Sequence, residues 1–216
     1  LGQSGALAES LSDLFSAVLS GKYEIALTDI KRSMSNPKDF GDPDTFSGYV
    51  TTALGPLCHD PGDLCKYQNA GIPNKAAYLM IEGTGRSEED RSRFGDLKGL
   101  GKDKVGRIYF HALQPKYLCS RNLTFEEFAH GVVEACSDLA SYDSGGIHPG
   151  DCSVAQKAFE AVGMWSSDRT RVLSDTFYAA AWHLADARQP VFWNINAGFV
   201  SRFVFAPGGH TLAIGG

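Results

Sequence analysis

Apolar residues at Leu7, Leu11, Phe15 and Val18 repeat at helical spacing, so residues 5–19 predict an amphipathic helix that Gly21 closes. Turn dipeptides then crowd the chain: Asn36-Pro37, Gly41-Asp42-Pro43-Asp44, Gly55-Pro56 and Pro61-Gly62 make residues 36–70 a long loop region. Loops of that length in a compact domain tend to carry function. Pro73 opens a second helix through Lys75-Ala76-Ala77-Tyr78-Leu79-Met80. Residues 84–98, charged and rich in Gly and Ser, read as a surface loop. A helix over 102–118 follows, with Val105, Ile108, Tyr109 and Ala112 on one face. Thr124 with Glu127 three residues later forms a capping box that opens a helix over 124–141. Another helix runs from Ser153 to Val162.

Beyond Gly163 the pattern changes. Residues 168–187 are alanine-rich and predict one more helix. The runs Val191-Phe192-Trp193, Phe199-Val200, Phe203-Val204-Phe205 and Leu212-Ala213-Ile214 predict two or three short strands over 190–214. The fold class is therefore mainly α: a bundle of about five or six helices with long loops, then a small C-terminal β appendage. Two regions follow, a helical domain over 1–165 and an extra helix plus short β-strand tail over 166–216.

Of the 216 residues, 43% are hydrophobic, enough for a real core. The net charge of -5 comes with scattered Lys and Arg, so no basic stripe points to nucleic acid or an anionic membrane surface. No apolar run approaches bilayer length, and no secretory signal is visible. The chain starts at Leu1 inside a motif, as a processed product or a partial sequence would.

Cysteines stand at 58, 65, 119, 136 and 152. Cys58 and Cys65 bracket a turn-rich loop suited to a local disulfide. Cys136 ends one predicted helix and Cys152 begins the next, a place for a second bridge; all five reduced and buried is the other reading. Two disulfides would place the chain in an oxidising, secreted or otherwise extracytoplasmic setting. Asn122-Leu123-Thr124 is a glycosylation acceptor triplet, relevant to a eukaryotic source. Glu126, His130 and Glu134 recur every four residues on one helix face, either a metal site or a solvated face. Trp182, Phe192, Trp193, Phe199, Phe203 and Phe205 in the tail form either a ligand surface or a small packed sheet.

The candidate chemistry begins in the first helix. Glu9 and Asp13 lie one turn apart on one face. From the residues alone, this is a solvated or salt-bridged helix face. The stretch Gln3 to Asp13, however, joins others: Arg32-Ser33-Met34-Ser35-Asn36-Pro37 with Gly41-Asp42-Pro43-Asp44, Asn69-Ala70-Gly71-Ile72-Pro73-Asn74-Lys75-Ala76-Ala77-Tyr78-Leu79, Gly101-Lys102-Asp103-Lys104-Val105-Gly106 and Ala158-Phe159-Glu160-Ala161-Val162-Gly163. In this order they resemble the C-terminal helical domain of thermolysin-like neutral zinc metallopeptidases over residues 1–165.

The resemblance implies one side of a zinc endopeptidase cleft that acts on peptide or protein substrates. Glu9 matches the family's zinc-binding glutamate, and Asp13 the aspartate that orients a histidine ligand. Arg32 matches the arginine facing the substrate carbonyl and first primed pocket; a structural salt bridge to Asp13 or Glu9 is its other expected role. The family's transition-state histidine falls on Tyr67, whose hydroxyl would donate to an oxyanion without bringing positive charge. His59 would be its substitute. Lys31 stands where the family has an apolar pocket residue, which would shift preference toward acidic side chains or fill the pocket. The segment before Arg32 is short and keeps only Glu24 and Asp29 of the carboxylates expected for calcium, so the double calcium site is doubtful.

The family takes its other zinc ligands and general base from a His-Glu-x-x-His helix. None of His59, His111, His130, His148, His183 and His210 has that spacing. Zinc would bind only with the missing half present, the expected partner being an N-terminal peptidase half as a separate chain, and this chain alone is expected to be inactive. The alternative is a pseudoenzyme: a catalytically dead, peptidase-derived secreted module acting in binding or structure.

Overall fold

The computed structural model describes residues 2–27, 30–50, 65–118, 122–142 and 144–166, together with the backbone of four C-terminal strands; at 26, 27 and 30 it describes the backbone alone. The chain divides into two compact units, Leu1–Trp165 and Ser166–Gly216.

In the first unit, α1 spans Gly2–Ser20 and buries Ala6, Leu7, Ser10, Asp13, Leu14 and Ala17. These positions recur at three- and four-residue intervals, the signature of a helix packed along one stripe. Asp13 is the exception in chemistry: a carboxylate on the buried stripe must find partners there. Gly21 ends the helix with φ 72°, where a side chain would be strained. An antiparallel hairpin follows, β1 (Glu24–Leu27) with β2 (Ile30–Ser33), pairing Ile25 with Arg32.

The helix α3 (Gly71–Glu82) lies at the centre, buried from Gly71 through Ile81. A four-residue turn, α2 (Lys66–Asn69), leads into it. Against α3 pack α1, α5 (Lys102–Ala112) and α7 (Pro149–Ala161), while α6 (Phe125–Ser141) packs on α5 and α7. A Cβ on Gly106 of α5 would lie 3.0 Å from Val18, so the glycine permits the close approach to α1. The core includes Leu14, Met34, Ile72, Leu79, Met80, Ile108, Phe128 and Phe159, all at or below 2% exposure. Burying such a side chain stabilises by about 1.5–3 kcal/mol.

Several elements match the sequence pattern and several differ. Thr124 accepts from the Glu127 backbone at 3.1 Å and Glu127 accepts from the Thr124 backbone at 2.8 Å, the expected capping box. The first α6 N–H, on Phe125, donates to the Gln3 side chain at 2.5 Å, so α1 helps cap α6. The 84–98 region is not wholly loop: α4 (Glu88–Phe94) forms there. Ser87 caps it, accepting from Asp90 N at 3.1 Å, and Phe94 is buried as its anchor. The helix α5 stops at Ala112, short of the expected 118, because Pro115 disfavours helix in the residue before it. The helix α7 starts at Pro149 rather than Ser153, with proline in its first turn. Cys136 and Cys152 are joined, tying α6 to α7.

In the second unit, β3 (Phe177–Ala181) pairs antiparallel with β4 (Val191–Ile195), and β5 (Arg202–Phe205) with β6 (Leu212–Gly215). The expected helix over 168–187 is corrected at 177–181. There the ladder from Phe177↔Ile195 to Ala181↔Val191 overrides the helical preference of three alanines. Of the predicted strand runs, Phe199-Val200 lies outside the described residues.

Candidate active site

Three elements meet at one buried carboxylate. Asp13 comes from the buried stripe of α1, Arg32 from β2 and Asn74 from the first turns of α3. Arg32 Nε donates to Asp13 Oδ2 at 2.9 Å and Nη2 to Oδ1 at 2.6 Å, a fork-on-carboxylate geometry. Asn74 Nδ2 donates to Asp13 Oδ2 at 2.9 Å. Arg32 is 5% exposed, Asp13 3% and Asn74 fully buried. Burial alone would lower the Arg32 pKa, but the hydrogen bonds and charge of Asp13, with Glu9 and Asp42 adding, raise it. The guanidinium is held charged.

Glu9, one turn before Asp13, lies beside this pair. Its Oε2 is 3.8 Å from Arg32 Nη2, and its side chain keeps 26% exposure. Glu9 is thus the more accessible carboxylate, and Asp13 the committed one. Asp42 is buried nearby on the loop after a short 3-10 turn, Pro37–Phe40. Burial pushes its carboxyl up to about 7, with Arg32 opposing and Asp13 adding to the rise. The loop reaches α3 because Gly71 has no side chain: a Cβ there would lie 2.5 Å from the Pro43 carbonyl oxygen.

Tyr67 sits on α2, 36% exposed. Arg32 Cζ is 5.6 Å from its ring centroid and Lys66 Nζ 4.7 Å. Two devices fix α2. Asn69 acts as a backbone mimic: Val50 N donates to its Oδ1 and its Nδ2 donates to the Val50 carbonyl, both at 2.8 Å. Cys65, just before α2, holds φ at 54°, a conformation that non-glycine residues adopt rarely. Cys65 is disulfide-bonded, while Cys58 lies outside the described residues.

The fold therefore brings Glu9, Asp13, Arg32 and Tyr67 into one neighbourhood. Lys31 is exposed on β2, and strand alternation sends it away from the side of buried Arg32. His59 and Asp29 lie outside the described residues. Asn74, Asp42 and Lys66 belong to the neighbourhood but carry no sequence signal of their own. Asn74 and Asp42 stand inside matching stretches without being singled out, and Lys66 is one lysine among scattered others. Only the pairing of distant segments reveals them.

Among the described residues, no group of three His, Cys, Asp or Glu side chains is placed to hold a metal ion. A catalytic zinc needs three protein ligands. Here Glu9 offers one carboxylate and Asp13 is engaged by Arg32, so these residues do not by themselves fit zinc. The Glu126, His130 and Glu134 face also forms no such cluster. Its His130 stacks on Trp165 at 3.9 Å between centroids, with Glu126 Oε1 3.9 Å from Nε2. No helix among the described residues is long and apolar enough to cross a membrane.

Comparison with known proteins gives a consistent result. The α-helical domain of the thermolysin metallopeptidases matches residues 1–164. The chain is 32% identical over 177 residues to bacillolysin of Bacillus cereus, covering 75% of this chain and 28% of that protein. It is 32% identical over 178 residues to the thermostable neutral protease NprT of Geobacillus stearothermophilus and to a thermolysin of Alicyclobacillus acidocaldarius subsp. acidocaldarius. Each of those matches covers 76% of this chain and 29% of the relative. The chain thus spans less than a third of the length of these relatives.

Proposed function

Because this chain belongs to the thermolysin metallopeptidase family, through its α-helical domain, we propose that it is the C-terminal half of a secreted zinc metalloendopeptidase. In this reading it forms one wall of a peptide-binding cleft and is inactive until polypeptide beyond it supplies two histidines and a general base. The observation that carries the reading is the Asp13–Arg32–Asn74 cluster, one helical turn from accessible Glu9 and beside Tyr67. The Cys136–Cys152 bridge supports an oxidising, secreted setting.

The roles follow from the donors and acceptors. Glu9 contributes one carboxylate to a zinc centre that the added polypeptide completes. Asp13 already accepts three hydrogen bonds, and a carboxylate accepts about four. One position remains for an imidazole N–H, so Asp13 orients a histidine from the other half. Arg32 places Nε and Nη2 on Asp13, which leaves Nη1 as the donor to meet a substrate carbonyl. Tyr67 donates its hydroxyl to the oxyanion that forms when the peptide carbonyl is attacked. His59 is the alternative donor. Lys31, turned away from the Arg32 side of β2, takes no part in this arrangement. Calcium has no assigned role in this proposal.

The test is to produce the chain together with the polypeptide encoded ahead of it and to measure zinc content and peptide cleavage. The proposal expects about one zinc per assembly and cleavage that a chelator abolishes, with both lost in Glu9→Gln. A well-folded assembly with neither zinc nor cleavage overturns the peptidase reading and leaves a peptidase-derived binding or structural module.

A further inference from the structure

The two oxygens of Asp13 are not loaded alike. Oδ2 takes Arg32 Nε and Asn74 Nδ2, both at 2.9 Å, whereas Oδ1 takes only Arg32 Nη2. With two lone-pair sites on each oxygen, Oδ2 is full and the open site is on Oδ1. Asn74 therefore decides which Asp13 oxygen remains for a further donor.

Asn74 in turn has an acceptor to satisfy. It is fully buried, and its Oδ1 has no hydrogen-bond partner among the described residues. An acceptor left alone in such a place is costly. Turning the amide over does not help, because Oδ1 would then face the Asp13 carboxylate. Asp42 is the neighbour placed to supply a proton. A Cβ built on Gly71 would lie 3.1 Å from Asp42 Cβ, so this side chain lies against the start of α3. Asn74 stands three residues on, on the same helix face, and helical side chains lean back toward the N-terminus.

Asp42 is 8% exposed, and burial, against Arg32 and with Asp13 adding, pushes its carboxyl up to about 7. The other charged groups nearby are engaged elsewhere. Lys38 of its own loop and Arg93 of α4 lie on Asp44, Lys75 of α3 on Asp90, and Glu9 of α1 beside Arg32. Lys31 of β2 is exposed on the far side of the strand.

We infer that Asp42 donates a carboxyl proton to Asn74 Oδ1, and that Asn74, so anchored, fills Asp13 Oδ2 and leaves Oδ1 to meet the histidine ligand. Asp42 and Asn74 are positioning residues that act through Asp13. This rests on the Asp13 role proposed above.

Two measurements test the two links separately. The first needs only this chain. With 13C-labelled aspartate, the signal lost in Asp42→Asn identifies the Asp42 carboxyl, expected to titrate near 7. Asn74→Leu removes the acceptor and should lower that midpoint by about half a pH unit or more, because the neutral carboxyl loses its hydrogen bond. An unchanged midpoint overturns the proposal, whether or not the assembly binds zinc. In the assembled enzyme, Asn74→Leu should weaken zinc binding by about tenfold or more. If the midpoint falls but zinc binding holds, the Asp13 role is overturned, and the positioning of the histidine with it. A second pair of variants serves if Asn74→Leu does not fold. Asp42→Asn keeps a donor at every pH, so its zinc binding relative to the unaltered enzyme should rise as pH passes about 7. Asp42→Leu, with no donor, should bind zinc more weakly than Asp42→Asn throughout. Equal zinc binding by these two variants overturns the proposal.

Discussion

Two buried ion pairs in the helical unit use the same charges for different ends. Arg32–Asp13 joins β2 to α1; Lys75–Asp90 joins α3 to α4 at 2.7 Å. Lys75 is 2% exposed and also donates to the Ser35 carbonyl at 2.6 Å. The rings of Tyr78 and Phe94 stand 5.1 and 5.3 Å from its Nζ. Its ammonium is enclosed, and burial lowers its pKa against the pull of Asp90. Arg32 is also buried, but its fork leaves one edge toward Tyr67 and Glu9, and its pKa is raised. The lysine pair closes in on itself, whereas the arginine pair faces the neighbourhood where the chemistry is proposed.

The sharpest break is Asp90→Ala. It orphans an enclosed ammonium, which costs about 3–5 kcal/mol; urea unfolding should show it, with no specific effect on zinc binding in the assembly. Asp13→Ala should cost somewhat less, about 2–4 kcal/mol, because Glu9 and Asp42 remain near the orphaned guanidinium. Unlike Asp90→Ala, it should also weaken zinc retention in the assembled enzyme, measured after dialysis against a chelator. Equal zinc losses from the two variants, once matched for stability, would erase the distinction. Arg32→Lys follows in size: a point charge cannot reproduce the fork, so about 1–3 kcal/mol should go, with cleavage falling further than stability predicts.

A further test is a pH dependence on the Arg32 side. The Asp42 carboxyl titrates at about 7 in the folded chain against 3.8 for the ordinary group. Between those values the folded state holds a proton that the unfolded state has released, so stability falls as pH rises through this window. Asp42→Asn should flatten that slope, read as unfolding midpoints in a series of buffers from pH 4 to about 8. An unchanged slope would remove Asp42 from the account of Arg32.

The sequence displayed helices best where local signals agreed. The capping box at Thr124 is local and matches the structure, whereas the buried face of α1 is rotated from the expected stripe: Leu7 is buried, Leu11, Phe15 and Val18 are only partly so, and Ala6, Ser10, Asp13, Leu14 and Ala17 make up the rest. The helix α4 was hidden because its charges look like a loop and its one anchor, Phe94, is a single residue. Residues 177–181 misled because alanine is silent about pairing, and the ladder to β4 is a long-range fact. At the site, Glu9, Asp13 and Arg32 could be named from charge, spacing and resemblance. Asn74 could not, since it meets Asp13 only through a contact spanning 61 positions. Lys66 emerged only once its ammonium was seen 4.7 Å from the Tyr67 ring centroid.

The Gln3 contact to the first amide of α6 has a practical side. The first turn of α1 doubles as the lid on a distant helix end. Replacing Gln3, or twisting that turn, would loosen α6 while leaving the Asp13–Arg32 pair in place. A design that respects Gln3 keeps its bundle, and one that discards it begins with a frayed helix far from the change.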